Sequence, residues 1–94
     1  MGNQFSNIKT LIENLDSNSV IDKLNQLLSD PECCYEKDEI YYILGNVYRK
    51  QGNFQKALNN YLEAISINPK SPAFHAREML MDIQNFYNKD MYNQ

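Results

Sequence analysis

One imidazole, two thiols and a scatter of carboxylates are the groups in this chain with reactive potential. His75 is the sole histidine. With serines and acidic residues at hand, a nucleophile–base–acid set can be drawn on paper. Nothing local builds it. There is no G-x-S-x-G elbow, no glycine loop to cradle phosphate and no H-E-x-x-H helix. Glu78 and Asp82 stand one helical turn apart, where two like charges on an exposed helix face are ordinarily solvated. Cys33 and Cys34 are adjacent, and a ring closed between neighbours is strained and staples nothing. The flanking Glu32 and Glu36 disfavour a thiolate, opposite to what a nucleophile needs. A structural zinc site takes about four Cys or His ligands, against two cysteines and one histidine here. The expectation is a chain with no catalysis, no cofactor and no metal, in which His75 takes an exposed surface role.

The elements that would position any site are those of one small domain of 94 residues. Hydrophobic residues make up 43% and charged ones 22%, enough for a packed core. Only 3 Gly and 3 Pro are present, which disfavours an architecture of many tight corners. A formal net charge of −3 offers no attraction to phosphate backbones, so a nucleic-acid partner is not expected. No apolar run approaches the roughly 18 residues needed to span a membrane. The N-terminus lacks the basic and apolar segments of a secretory signal. It does match the loose N-myristoylation pattern, with Gly2 and Ser6 in place, although Phe5 fits equally as the first core residue of a helix. The expected location is cytoplasmic with reduced thiols, away from membranes unless Gly2 is lipidated.

Apolar residues recur at helical spacing along most of the chain. Phe5, Ile8, Leu11, Ile12 and Leu15 form a first stripe, which Asp16 to Ser19 interrupts with cap and turn formers. Val20, Ile21, Leu24, Leu27 and Leu28 form a second, ended by Asp30-Pro31 because the residue before Pro is pushed out of the helical region. Residues 32–37 read as a linker. A third helix is predicted over about 38–51, with Tyr41, Leu44, Val47 and Tyr48 inward, acids at its start and bases at its end. Gly52-Asn53 supplies a stop and the next cap. A fourth helix, about 54–67, buries Phe54, Ala57, Leu58, Tyr61, Ala64 and Ile65. Ser71-Pro72 then reads as an N-cap with Pro at the first helical position. The fifth helix, about 72–87, carries Ala76, Met79, Leu80, Ile83, Phe86 and Tyr87 on one face, with Leu58, Leu62 and Ile65 as the partner surface. Polar residues from Asn88 on are expected to fray. The fold class is all-α, about five helices.

At an offset of 37 the two halves share apolar slots: Leu11 meets Tyr48, Val20 meets Ala57, Leu24 meets Tyr61 and Leu27 meets Ala64. A repeated helix–turn–helix unit indicates a solenoid-type stack. Tyr41, Leu44-Gly45, Tyr48, Ala57, Tyr61, Ala64 and Pro69, with Gly52 at the turn and Phe54 after it, give residues 38–69 the pattern of a tetratricopeptide repeat, a family the segment resembles. Residues 4–31 resemble a degenerate repeat, with Asn7-Ile8 at the Leu-Gly slot. Helix 72–87 resembles the cap that closes such arrays. The resemblance implies antiparallel helix pairs in a right-handed superhelical stack that binds another protein or a peptide on its concave face. In physical terms, a mid-helix Gly costs about 1 kcal/mol against Ala, so Gly45 must face a close neighbour.

On the third helix, Tyr42, Asn46 and Arg49 follow i, i+4, i+7 spacing and share a face that the core does not claim. An exposed Tyr with an amide and a guanidinium is a frequent recognition composition. These three, with Lys9 and Ile12 on one side and Met79 and Ile83 on the other, are the candidate partner-binding surface, and they are expected to contribute little to folding. A subgroup of the family clamps acidic C-terminal tails with Lys and Asn. Asn46 matches one of those positions, but Tyr42 stands where Lys is required, so that activity is not expected. The alternative to a partner-binding module is a self-association unit, a monomer in the first case and a homodimer in the second.

Overall fold

A computed structural model describes residues 8, 10–32 and 35–92, with side chains described as far as residue 83. The positions numbered 2, 5, 6, 9, 33 and 34 lie outside the described residues, and with them the expectations for Gly2, Phe5, Ser6, Lys9, Cys33 and Cys34. Helix α1 is described at residues 8 and 10–12. It is followed by α2 (Ser17–Ser29), α3 (Lys37–Lys50), α4 (Phe54–Ile67) and α5 (Ala73–Tyr92). The fold is all-α, a helical stack in which α3 packs chiefly on α4, α4 on α5 and α2 on α3.

Local chemistry sets the boundaries. Asp16 is the extended N-cap residue of α2, so the run of cap formers at 16–19 starts a helix as well as ending one. Asp30 and Asn68, each before a proline, are extended and end α2 and α4. The corner between α3 and α4 is a complete Schellman motif. Gly52, at φ 84°, donates its N–H to the Arg49 carbonyl, and Asn53 donates to that of Tyr48. The Asn53 side chain then accepts from the Lys56 N–H at 3.3 Å and caps α4. The buried Ser71 hydroxyl accepts from the Ala73 N–H at 3.0 Å, as an N-cap should.

Two apolar clusters form the core. Ile8, Val20, Leu24, Ile40 and Leu44 make the first, and Ala57, Tyr61, Ala64, Ala73 and Leu80 the second. Tyr41 and Tyr48 are half-buried and pack against both, which joins the clusters. Gly45 is buried in α3 against the ring of Tyr61 from α4. A Cβ built there falls onto Cε1 and lies 2.5 Å from Cδ1. The glycine therefore lets a large side chain enter where a methyl would stand, large into small between packed helices.

The structure corrects the expected faces in three places. Ile40, not assigned inward, is fully buried; Tyr41, Val47 and Tyr48 do pack against the core as expected and are half-buried there. In α5 the residues buried on α4 are Ala73 and Leu80 with half-buried Ala76. Met79 is 65% exposed and Ile83 38%, and their supposed partner Leu62 is exposed as well. Two alanines let α5 lie close to α4, so the bulky Met79 and Ile83 are left at the edge of the contact. The helix also continues past the expected end at Tyr87, to Tyr92.

Candidate functional site

The displaced Met79 and Ile83 line a groove. Its volume is about 310 Å³, and its walls come from two helices that hardly touch one another. From α3 come Tyr42, Asn46 and Arg49; opposite them stand Pro72, just before α5, and His75, Ala76, Met79, Leu80 and Ile83 of α5. Helix α4 packs on both α3 and α5 and so holds them apart as a spacer. Three of the four expected residues thus stand together, and Met79 and Ile83 face them across the groove as expected. Lys9 lies outside the described residues.

The polar wall is held from behind. The hydroxyl of Tyr61, a fully buried residue of α4, donates to Asn46 Oδ1 at 2.6 Å. Arg49 Nε donates to the same hydroxyl at 3.3 Å. The Tyr42 ring lies 6.2 Å from the Tyr61 ring, tilted by 39°. Burial pushes the Tyr61 phenol above its ordinary pKa, and the adjacent Arg49 opposes this only in part. The phenol therefore stays protonated at neutral pH and keeps its donor. These bonds correct the expectation that Asn46 and Arg49 add little to folding: they satisfy a buried hydroxyl, and removing either leaves part of it unpaired.

His75 is exposed, as expected, and it also stands in the groove wall, a place not expected for it. Its ring packs edge-on against Phe74 at 5.6 Å. Its spacing from Met79 and Ile83, i, i+4 and i+8, is the signal that places the three along one side of α5. The lining residues include no carboxylate among the described residues, on a chain of net charge −3, so the groove is a local cationic spot. Among the described residues there is no cluster of three or more His, Cys, Asp or Glu side chains fit to hold a metal ion, and no helix long and apolar enough to cross a membrane.

The tetratricopeptide-repeat family model matches residues 38–71. The solution NMR structure of protein BF1650 of Bacteroides fragilis is similar to the chain over all of its length and 92% of that protein's, at 53% sequence identity and a TM-score of 0.75. No curated protein sequence matches the chain. The chain belongs to the tetratricopeptide-repeat family. Repeats of this family generally mediate protein–protein interaction and generally serve as non-catalytic scaffolds.

Proposed function

We propose that the chain binds an extended segment of a partner protein in the α3–α5 groove and performs no catalysis. The observation that carries this is the lining itself: Tyr42, Met79 and Ile83 offer apolar contact, and Asn46, Arg49 and His75 offer polar contact, in one concavity. Such a wall suits a short segment with apolar anchors and an acidic group, held with the micromolar affinity of a modest interface. In this reading residues 4–31 form a looser repeat, and the helix over 72–87 closes the stack and walls the groove.

The test starts with affinity capture from native lysate to identify the partner. Binding is then measured for Tyr42→Ala with Met79→Ala. Both positions line the groove, and neither side chain is bonded to the Tyr61 hydroxyl. The pair should weaken binding at least tenfold, about 1.4 kcal/mol. Undiminished binding would move the site off the groove.

A second reading, self-association, rests on Phe74 and Met81. They are exposed, two turns apart, and on the side of α5 away from Met79. Light scattering over a wide dilution range tests it: a persistent dimer that Phe74→Asp disperses supports it, and a monomer at all concentrations refutes it.

A further inference from the structure

A helical stack ends in two faces, which are ordinarily polar where the stack is capped. Here both carry large exposed apolar side chains. The molecule is 52 Å long against 28 and 22 Å across, with α1 and α2 at one end and α5 at the other. Phe74 and Met81 stand exposed at the α5 end, and Leu11 and Leu15 at the α1–α2 end. Leu11 and Leu15 line a hollow of about 390 Å³ with Ser19, Asp22, Lys23 and Gln26 of α2. Among the described residues, none from α3, α4 or α5 lines it.

The two ends share a spacing. Phe74, Arg77, Glu78 and Met81 fall at i, i+3, i+4 and i+7 on α5, and Ser19, Asp22, Lys23 and Gln26 fall at the same intervals on α2. At about 100° per residue, position i+3 lies about 60° to one side of position i and i+4 about 40° to the other. Helix α5 thus carries a base on the flank where α2 carries an acid, and an acid where α2 carries a base. When two helices meet face to face and antiparallel, like flanks come together. Laid antiparallel along α2 of a second copy, α5 sets Arg77 against Asp22 and Glu78 against Lys23 at once. Laid parallel, it sets acid on acid and base on base, so charge chooses one direction. Two α5 helices paired antiparallel would bring Arg77 to Arg77 and Glu78 to Glu78, and any α5–α5 pair leaves Leu11 and Leu15 bare.

We infer that α5 of one copy docks antiparallel on α2 of the next, with Phe74 and Met81 entering the hollow beside Leu11 and Leu15, so that copies of this chain join head to tail. The inference rests on the self-association reading above and names both faces of the contact. Because the two faces differ, the contact is heterologous: every added copy leaves one of each face open, and growth stops only where a ring closes. The α3–α5 groove stays accessible, since Met79 lies on the other side of α5 from Phe74 and Met81.

Sedimentation velocity on the full chain, over a wide dilution range, reads the contact. The wild-type mass should climb with concentration past two chains. Leu15→Asp spoils the hollow and Phe74→Asp spoils the opposite end; both side chains are exposed, so both variants should unfold thermally much as the wild type does. Each variant alone should stay monomeric. Mixed in equal amounts they should form a complex of two chains and nothing larger, because each supplies the end that the other lacks. A charge exchange keeps the test open if Leu15→Asp unfolds. Asp22→Arg should weaken association about fivefold, and Arg77→Asp added to the same chain should bring it back to within about twofold of the wild type. A wild type that is monomeric at every concentration overturns self-association, and this contact with it. Association that persists in Leu15→Asp but not in Phe74→Asp overturns the head-to-tail contact and leaves self-association standing, through α5 alone. A mixture of the two variants that stays monomeric, while the wild type associates, overturns the contact as well. Failure of Arg77→Asp to rescue Asp22→Arg overturns the antiparallel pairing.

Discussion

Gly45→Ala is the smallest change that tests the packing, and its sign is informative. In an unconstrained helix interior Ala is favoured over Gly by about 1 kcal/mol. Here the new methyl would lie 2.5 Å from Tyr61 Cδ1, where ordinary carbon contacts need about 3.5–4.0 Å. The ring must retreat by about 1 Å or more. It is fully buried, and its hydroxyl is bonded to both Asn46 and Arg49. Overpacking costs about 1–3 kcal/mol, and a stretched hydrogen bond adds about 1 kcal/mol. Set against the gain in helix preference, the net loss is about 2 kcal/mol, which lowers Tm by about 8–16 °C in a domain of this size. The assay is thermal unfolding followed by circular dichroism, with Tyr61→Leu as a second background. Without the ring, the same Gly45→Ala change should raise Tm by about 4–8 °C. A rise or no change in the wild-type background would refute the argument, because it would mean that Tyr61 does not occupy the space over Gly45.

Other perturbations follow from the same contacts. Asn53→Ala removes the side-chain acceptor for the Lys56 N–H and should cost about 1 kcal/mol in denaturant unfolding. Gly52→Ala forces a Cβ into left-handed backbone at φ 84° and should cost about 1–2 kcal/mol although nothing crowds the site. Truncation after Asn68 removes Ala73 and Leu80 from the second cluster, and the fragment should aggregate or lose cooperative unfolding; a cooperatively folding monomer would show that α5 is dispensable. Because the folded Tyr61 pKa is raised above its ordinary 10.0, the unfolded chain releases that proton first. The stability due to Tyr61 should be intact below about pH 10 and fall as pH rises beyond it. The gap between wild type and Tyr61→Phe should narrow there, and a gap independent of pH would contradict the burial.

The repeat over α3 and α4 was readable because its residues carry geometry that few alternatives satisfy. Gly45 announced a close neighbour, and Tyr61 fills that place. Gly52, Asn53, Ser71 and the two prolines after Asp30 and Asn68 fixed the corners through backbone chemistry that acts locally. The faces of α3 and α5 were harder to read. Helix α3 is flanked by α2 and α4, so its apolar residues are shared among neighbours, and Ile40 could not be told from Tyr41 by periodicity. In α5 the stripe of Met79, Leu80 and Ile83 is continuous in sequence. Only the close seat of Ala73 and Ala76 decides that Leu80 goes inward and the other two line the groove. The groove was half legible: spacing gave Tyr42, Asn46 and Arg49, while the role of Tyr61 needed the pairing of α4 with α3.

The most direct measurement is site-specific photo-cross-linking of the captured partner. A benzophenone amino acid replaces Met79, 65% exposed in the groove, and in a separate variant Leu62, 43% exposed on α4 and outside it. After illumination with the purified partner, adducts are mapped by mass spectrometry. The groove account predicts adducts from position 79, to one short segment of the partner, and few from position 62. Adducts from position 62 with none from position 79 would contradict it.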